Sequence, residues 1–377
     1  MENLVAYFDI YTLAVITITG FAFTTLLVAF YNLLTAPKVS ISSGISASQV
    51  FPTFAVIIPA RNEETTLPKL LQSLEQQTLR PSEIIVVNDN STDKTVEIVE
   101  HFAKQNPTIQ LIQGAKLPAL WLGKNYACHQ GSQVADSEFL VFIDADVTLA
   151  PHALQHSFIQ MSEDKLGMFS VFPTQHIPSF GSRLVTPLMK WLLLNFLPLK
   201  KVFTSARNSF VAANGQFIIF NREVYDAIGG HSGVRNAVVE DMELARKVKR
   251  SGNRIMTAVG GDAIFCEMYP DYKSAYNGFS KNFYPGFGIS ANQFTLLLLF
   301  LFVVYGLPFI AVFFDLRYLY AILLIVLSRV FIAIVGKQPV LLEIALHPVQ
   351  MVIMVFIGIN SLIVNEQKKV QWKGRTL

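Results

Sequence analysis

"EFLVFIDADVTLAP", residues 138–151, decides the fold. Phe139 through Ile143 form an unbroken apolar run, the pattern of a strand buried on both faces. Asp144 and Asp146 leave its C-terminal end together, one residue apart. The upstream sequence repeats the pattern. "FAVIIPA" (54–60), "SEIIVVND" (82–89) and "IQLIQG" (109–114) read as further strands, separated by helices over Glu63 to Gln77, Thr92 to Gln105 and Lys124 to Val134. Strand–helix alternation with apolar strands predicts an α/β fold, a mostly parallel sheet flanked by helices. Ligands of such sheets bind beyond the carboxyl ends of the strands. The polar residues gather there: Asn62 and Glu63 after the first strand, Asp89 after the second, Asp144 and Asp146 after the fourth.

Of the 377 residues 52% are apolar and 15% charged, too apolar for an ordinary soluble domain and too polar for a chain held entirely in lipid. Ile10 to Leu34 and Leu296 to Phe314 are uncharged, Tyr318 to Gly336 carries only Arg329, and Ile344 to Val364 only His347. Each is long enough to cross a hydrocarbon core of about 30 Å. The expected organisation is an uncleaved anchor over 1–37, a Ser-rich linker over 38–51, a globular domain over 52–290, membrane segments over 291–366 and a basic tail over 367–377. Glu2 and Asp9 precede the first segment and Lys38 follows it, which places the domain in the cytoplasm and the chain as a multi-pass protein of the cytoplasmic membrane. Four full crossings would leave Lys368, Lys369, Lys373 and Arg375 outside. Arg329 and His347-Pro348 therefore mark where a late segment is expected to stay re-entrant or interfacial. The stretch 182–203, apolar and edged by Lys190, Lys200 and Lys201, reads equally as an interfacial helix or a buried one. Two cysteines, Cys128 and Cys266, offer no disulfide framework, and a net charge of +3 gives no reason to expect a nucleic-acid partner.

Two carboxylates one residue apart can hold a hard divalent cation, Mg²⁺ or Mn²⁺, that grips a diphosphate. An isolated pair is as readily explained by a turn capping the helix that starts near Pro151. Glu240, Asp241 and Glu243 in "VVEDMEL" have a similar double reading, because acids in the first turn of a helix also favour its dipole. The seven histidines show no metal-binding spacing.

The pair is not isolated. "PARNEETTLPKLLQSL" (59–74), "EIIVVNDNSTDKTVEIV" (83–99), "LGKNYA" (122–127), "FIDADV" (142–147) and "VVEDMELARKVKRSGNR" (238–254) follow in order. With these motifs in register, the chain resembles the family 2 glycosyltransferases, inverting enzymes on the nucleotide-sugar-binding GT-A fold, over about residues 52 to 285. The resemblance implies that Pro59, Asn62 and Glu63 sit against the nucleoside, that Asp89 contacts a pyrimidine base and so points to a UDP-sugar, and that Lys124 approaches the diphosphate. Asp144 and Asp146 match the metal- and diphosphate-binding pair, and Asp241 the catalytic base. Asn88 stands where the family usually has an aspartate, and Asn90 where a glycine is common. Asn214, Gly215, Gln216 and Glu240 are implied on the acceptor side. The Q-x-x-R-W motif of processive synthases is absent; "SAYNGFSKNFYPGFG" (274–288) offers Lys281, and the terminal "QWKGRTL" offers Trp372 and Arg375. The layout is most similar to the branch that glycosylates membrane lipids. It implies transfer of a hexose, glucose foremost, to a hydroxyl or carboxylate of a bilayer isoprenoid such as a carotenoid. Transfer to a polyprenyl phosphate, polysaccharide synthesis and a non-catalytic scaffold are the competing readings.

Overall fold

The computed structural model describes residues 2–39, 51–367, 371–372 and 375–376, with the backbone course alone for 2–10 and the last two pieces. Residues 40–50 of the expected linker, and 368–370, 373–374 and 377 of the expected tail, lie outside the described residues.

The chain enters through α1 (Glu2–Thr35) and then alternates: β1 (Phe54–Ala60), α2 (Leu67–Glu75), β2 (Glu83–Asn88), α3 (Thr95–Gln105), β3 (Ile109–Gln113), α4 (Gly123–Val134), β4 (Phe139–Ile143), β5 (Val147–Leu149), α5 (Ala153–Glu163), β6 (Met168–Phe172) and β7 (Thr174–Gln175). Helices α6 (Phe180–Arg183), α7 (Pro187–Phe196) and α8 (Lys200–Thr204) replace the single helix read over 182–203, because Pro187 starts a new helix and Pro198 separates the next. Then come β8 (Phe217–Asn221), α9 (Arg222–Ala227), α10 (Glu240–Arg250), β9 (Ile255–Val259), β10 (Ile264–Cys266) and α11 (Tyr272–Phe287).

The main sheet has the order β3-β2-β1-β4-β8-β6-β9. Strands β3, β2, β1 and β4 are parallel, as are β6 and β9; β8 runs antiparallel to both its neighbours. Side-chain alternation sends Val56 and Ile58 into one core layer and Ala55 and Ile57 into the other. Leu67, Leu70, Leu71 and Leu74 of α2 and Phe158 of α5 fill the first layer, each buried leucine contributing about 1.5–3 kcal/mol. The second layer holds α4, α7 and α10 and continues without a break into the membrane helices.

Those helices are α12 (Ala291–Tyr305), α13 (Pro308–Ala311), α14 (Tyr318–Gly336) and α15 (Val340–Glu366). Four stretches, Tyr11–Thr35, Ala291–Ala311, Tyr318–Gly336 and Val340–Glu366, are long and apolar enough to cross a bilayer, and the protein is a membrane protein. A short hairpin, β11 (Gln371–Trp372) with β12 (Arg375–Thr376), follows. Helix α1 is stitched to the sheet: Val39 N–H donates to Val259 O at 3.0 Å, and Val259 N–H to Pro37 O at 2.9 Å. At the opposite end of α1, Arg317, in the turn before α14, donates to Thr12 Oγ1 at 3.0 Å. Both ends of α15 face the domain. Gln338, just before it, converges with Gly336 on Lys190, and Ser361 near its end accepts from Tyr284 N–H of α11 at 2.9 Å. Between them Arg329 and Glu343 form a buried ion pair at 2.6 Å, and Gln350, also bonded to Arg329, donates to Arg183 O at 3.0 Å. Removing one partner of such a pair costs about 3–5 kcal/mol, so it fastens α14, α15 and α6 together.

Candidate active site

Antiparallel pairing of β4 with β8 assembles the rim. Asp144 N–H, one residue past β4, donates to Gln216 O at 3.0 Å, one residue before β8. The sequence-expected Asn214, Gly215 and Gln216 therefore lie beside the D-x-D pair. Lys124, the second residue of α4, reaches across: its Nζ is 2.8 Å from Asp144 Oδ1, 3.3 Å from Glu240 Oε1 and 3.4 Å from Gly215 O. Burial works against the Lys124 charge, but Asp144 and Glu240 outweigh it and hold the ammonium well above its usual range. A Cβ on Gly215 would stand 3.0 Å from Lys124 Nζ and 3.2 Å from Glu240 Oε1, so a larger residue would make both side chains shift. Lys281 of α11 lines the same cleft with Leu122, Gly123, Asn125 and Val238, and burial pushes its ammonium down to about 8.

Asp241 is oriented on both oxygens. Gly215 N–H donates to Oδ2 at 2.8 Å and Met242 N–H to Oδ1 at 2.7 Å. These bonds favour the carboxylate, yet burial first and the neighbouring Glu240 second push it up to about 7. A carboxylate in that range is suited to accept a proton near neutral pH.

Asp146 is raised to about 7 by burial, with Asp144 and Glu63 adding like charge, which also brings the ends of β1 and β4 into one field. Its Oδ1 is buried without a hydrogen-bond partner. An orphaned carboxylate oxygen beside a second carboxylate is the donor chemistry of a hard cation completed by water and phosphate oxygens. The pair thus fits Mg²⁺ or Mn²⁺, although no group of three His, Cys, Asp or Glu that could hold a metal occurs among the described residues.

The nucleoside-side candidates sit one strand over. Pro59 is buried within β1. Asn62 and Asn90 take the left-handed conformation, with φ of 54° and 52°, which asparagine tolerates. Asn62 N–H donates to Ser91 Oγ at 3.0 Å and its Oδ1 accepts from Thr92 N–H at 2.8 Å; Glu63 N–H donates to Thr95 Oγ1 at 2.8 Å. Asp89, following β2, is buried, and Arg61 Nη1 lies 3.9 Å from its Oδ2 while donating to its carbonyl at 2.7 Å. Trp372 and Arg375 fall on the terminal hairpin, and their side chains lie outside the described residues.

Three residues of the site went unread in the sequence. Arg61 stands between Pro59 and Asn62 in the motif itself, so the signal was present. Cys266 had no local signal: its thiol accepts from Gln216 Nε2 at 2.9 Å and meets Asp146 only through the pairing of β10 with β5. Tyr269, half-buried, with its hydroxyl pushed up by desolvation and by Asp146, lies near the same acid.

Residues 55–240 match the family model Glycosyl transferase family 2. The chain is 29% identical over 243 residues to the 4,4'-diaponeurosporenoate glycosyltransferase of Staphylococcus haemolyticus (strain JCSC1435), covering 62% of this chain and 62% of that protein. It is 28% identical over 242 residues to the enzyme of the same name from Staphylococcus aureus (strain bovine RF122 / ET3-1), covering 63% and 62%. The chain thus spans 62% of the length of these curated relatives. Among solved structures its fold is similar to mannosyltransferase PcManGT from Pyrobaculum calidifontis in complex with GDP-Man and Mn²⁺, with a TM-score of 0.56 and 17% identity over 94% of this chain and 99% of that one. The architecture is accordingly GT-A-like, as the five motifs led us to expect, with apolar helices at both ends.

Proposed function

We propose that the protein is an inverting, nucleotide-sugar-dependent glycosyltransferase that moves a hexose from a UDP-sugar to an isoprenoid dissolved in the membrane. The observation that carries this reading is the juxtaposition of the Asp144–Asp146 pair, Lys124 and Asp241 on one sheet rim whose underside continues into membrane helices. The relatives' name, which specifies a carotenoid acid, supports the acceptor class. In this mechanism an acceptor oxygen forms a bond to the anomeric carbon as the bond from that carbon to the diphosphate breaks, and UDP leaves with the electron pair. Asp241 receives the proton of a hydroxyl acceptor; a carboxylate acceptor brings none, and Asp241 then only orients it. Asp144 and Asp146 would hold Mg²⁺ or Mn²⁺, which neutralises charge on the departing diphosphate. Lys124 approaches the same charge from α4, while Asn62, Glu63, Asp89 and Arg61 bound the nucleoside. Asn214, Gln216, Glu240 and Lys281 face the acceptor.

The test is a membrane fraction given radiolabelled UDP-glucose, Mn²⁺ and lipid extract. Label in an isoprenoid of the organic phase is expected; label in an acid-labile phosphate band would move the acceptor to a polyprenyl phosphate. No transfer from any sugar nucleotide would defeat the reading.

The positions of the helix ends support an orientation, which we propose as part of this reading. Three crossings, α1, α12–α13 and α14, with α15 lying under the domain, leave the domain and the basic tail on the cytoplasmic side, in keeping with the positive-inside rule. A cysteine at Phe314 is expected to label from outside intact spheroplasts, and one at Gln367 only after permeabilisation. The reverse pattern would refute the orientation.

A further inference from the structure

Lys190 is a buried cation without a counter-charge. It is 4% exposed and lies in α7, between the sheet and α14. Its ammonium has three N–H groups. Two are taken by neutral acceptors, Pro173 O at 3.2 Å and Gly336 O at 3.4 Å, and no ion pair with a carboxylate occurs among the described residues. Burial lowers the ammonium to about 8. Capping the C-terminal carbonyl of α14 explains one of these contacts but not the surroundings.

The surroundings are polar and unsatisfied. Gln338, whose side chain lies beside Gly336 as does that of Lys190, is 8% exposed and has neither its Oε1 nor its Nε2 bonded. Thr186, one turn before Lys190 on the same face of α7, has an orphaned Oγ1. Gln175 Oε1, two residues past the Pro173 carbonyl, is orphaned as well. Unsatisfied buried polar atoms are uncommon in native proteins, and these lie on segments that contact Lys190 or flank its helix, so the region has hydrogen-bonding capacity to spare. The cluster also has a direction. Gln175 donates to Gln216 at 3.2 Å, Gln216 to Cys266 at 2.9 Å, and Cys266 meets Asp146. In the opposite direction, α7 packs on α1 and α14 and exposes Met189 and Phe196. A chain of polar contacts therefore runs from Asp146 to Gln175, two residues from the Pro173 carbonyl that accepts from Lys190.

From this arrangement we infer that Lys190, with Gln338 and Thr186, receives the anionic headgroup of a lipid, a carboxylate or phosphate carried on an apolar chain, and holds it on the membrane side of the rim. The inference rests on the proposed transfer to a membrane acceptor and adds a specific subsite to it. A buried ammonium with one free N–H beside an amide and a hydroxyl offers the anion a charge-assisted bond and two neutral ones. An ester or alcohol of the same chain would forgo the first.

The experiment uses the full chain in phosphatidylcholine nanodiscs, titrated with retinoic acid, with its methyl ester and with farnesyl monophosphate. Quenching of Trp191, adjacent to Lys190, reports binding in a Trp121→Phe, Trp372→Phe background. The wild-type residue at 190 is expected to bind the acid at least roughly tenfold more tightly than the ester, the margin of one charge-assisted hydrogen bond. Lys190→Met should reduce that preference to within about twofold, while Lys190→Arg should retain most of it. Tighter, Lys190-dependent binding of the monophosphate would also support the site and assign phosphate as the anion. Equal affinity for acid and ester in the Lys190 protein would overturn the proposal even if the methionine variant failed to fold, as would an undiminished preference in that variant. UDP binding, measured calorimetrically on the same samples, reports the donor site separately. Transfer that fails while the acid preference persists would strike the proposed reaction and leave the subsite standing.

Discussion

Replacing Asp241 by asparagine is expected to lower transfer to a hydroxyl acceptor by roughly 10²–10⁴-fold, the usual contribution of a positioned general base. UDP should still bind with the divalent cation. The expectation rests on the two N–H groups that hold both oxygens of Asp241 and on the burial and Glu240 charge that raise it to about 7. Because its acid form predominates below that value, the wild-type rate with a hydroxyl acceptor should climb as pH rises through about 7. The amide must turn its NH₂ toward one of the two N–H donors, so part of the rate loss is local misfit, at about 1–3 kcal/mol. The pH profile separates that cost from the chemistry: the limb near 7 should vanish in the variant, not merely scale down. A carboxylate acceptor brings no proton, and its transfer should fall far less. Persistence of the limb in Asp241→Asn, or loss of UDP binding, would show that the residue does something else.

Asp146→Ala should weaken UDP and Mn²⁺ binding together by roughly 10–100-fold, the range seen when a group supporting a bound metal is removed. Unchanged nucleotide affinity would sink the metal role. The same substitution has a second signature in the metal-free protein. Burial and the charges of Asp144 and Glu63 raise Asp146 from 3.8 to about 7. Between those values the folded state holds a proton that the unfolded state has released, so folding stability declines as pH rises across that window. Above about 7 the full penalty of a buried, crowded carboxylate is present. The alanine variant should lose the Asp146 share of this slope, keeping that of Asp241, which is raised in the same way, and, at pH 8 without metal, unfold at no lower temperature than the wild type. A carboxylate that destabilises its own metal-free state is what an orphaned oxygen leads one to expect.

Much of this architecture was readable because burial on both sheet faces leaves a local trace. The four apolar runs correspond to β1, β2, β3 and β4, and the helices between them overlap the stretches read as helical, with α2 beginning only at Leu67 because Asn62, Glu63 and Glu64 are bonded to Ser91, Thr95 and Asp93 after β2. The reversal of β8 left no such trace: "FIIFN" is as apolar as a parallel strand, and nothing nearby specifies that it inserts between β4 and β6. That insertion is what brings Gly215 to Lys124 and Asp241 to Gly215, so the members of the site were legible as residue types and motifs while their meeting was not. Cys266 and Lys190 show the same limit more sharply. Each is an ordinary residue in an apolar stretch, and its importance comes from neighbours more than forty positions away, such as Gln216 and Gly336. Arg329 and His347 were conspicuous in the sequence as polar interruptions, but the pairing of Arg329 with Glu343, at the start of α15, depends on how α15 folds back toward the domain.

The two backbone hydrogen bonds that join Pro37 and Val39 to Val259 have a mechanical consequence. A domain tethered by a loose linker would tumble above the lipid and present its rim to the acceptor only a fraction of the time. Here the anchor leaves the bilayer as an added ribbon on the edge strand β9, so height and tilt are set by the sheet itself. For the proposed lipid acceptor the search then loses a dimension: a lipid drifting laterally would meet a rim already at the right level, and encounter frequency would depend on fluidity and surface density instead of on bulk concentration. Stiffening the bilayer should slow the reaction even where both substrates saturate in the conventional sense.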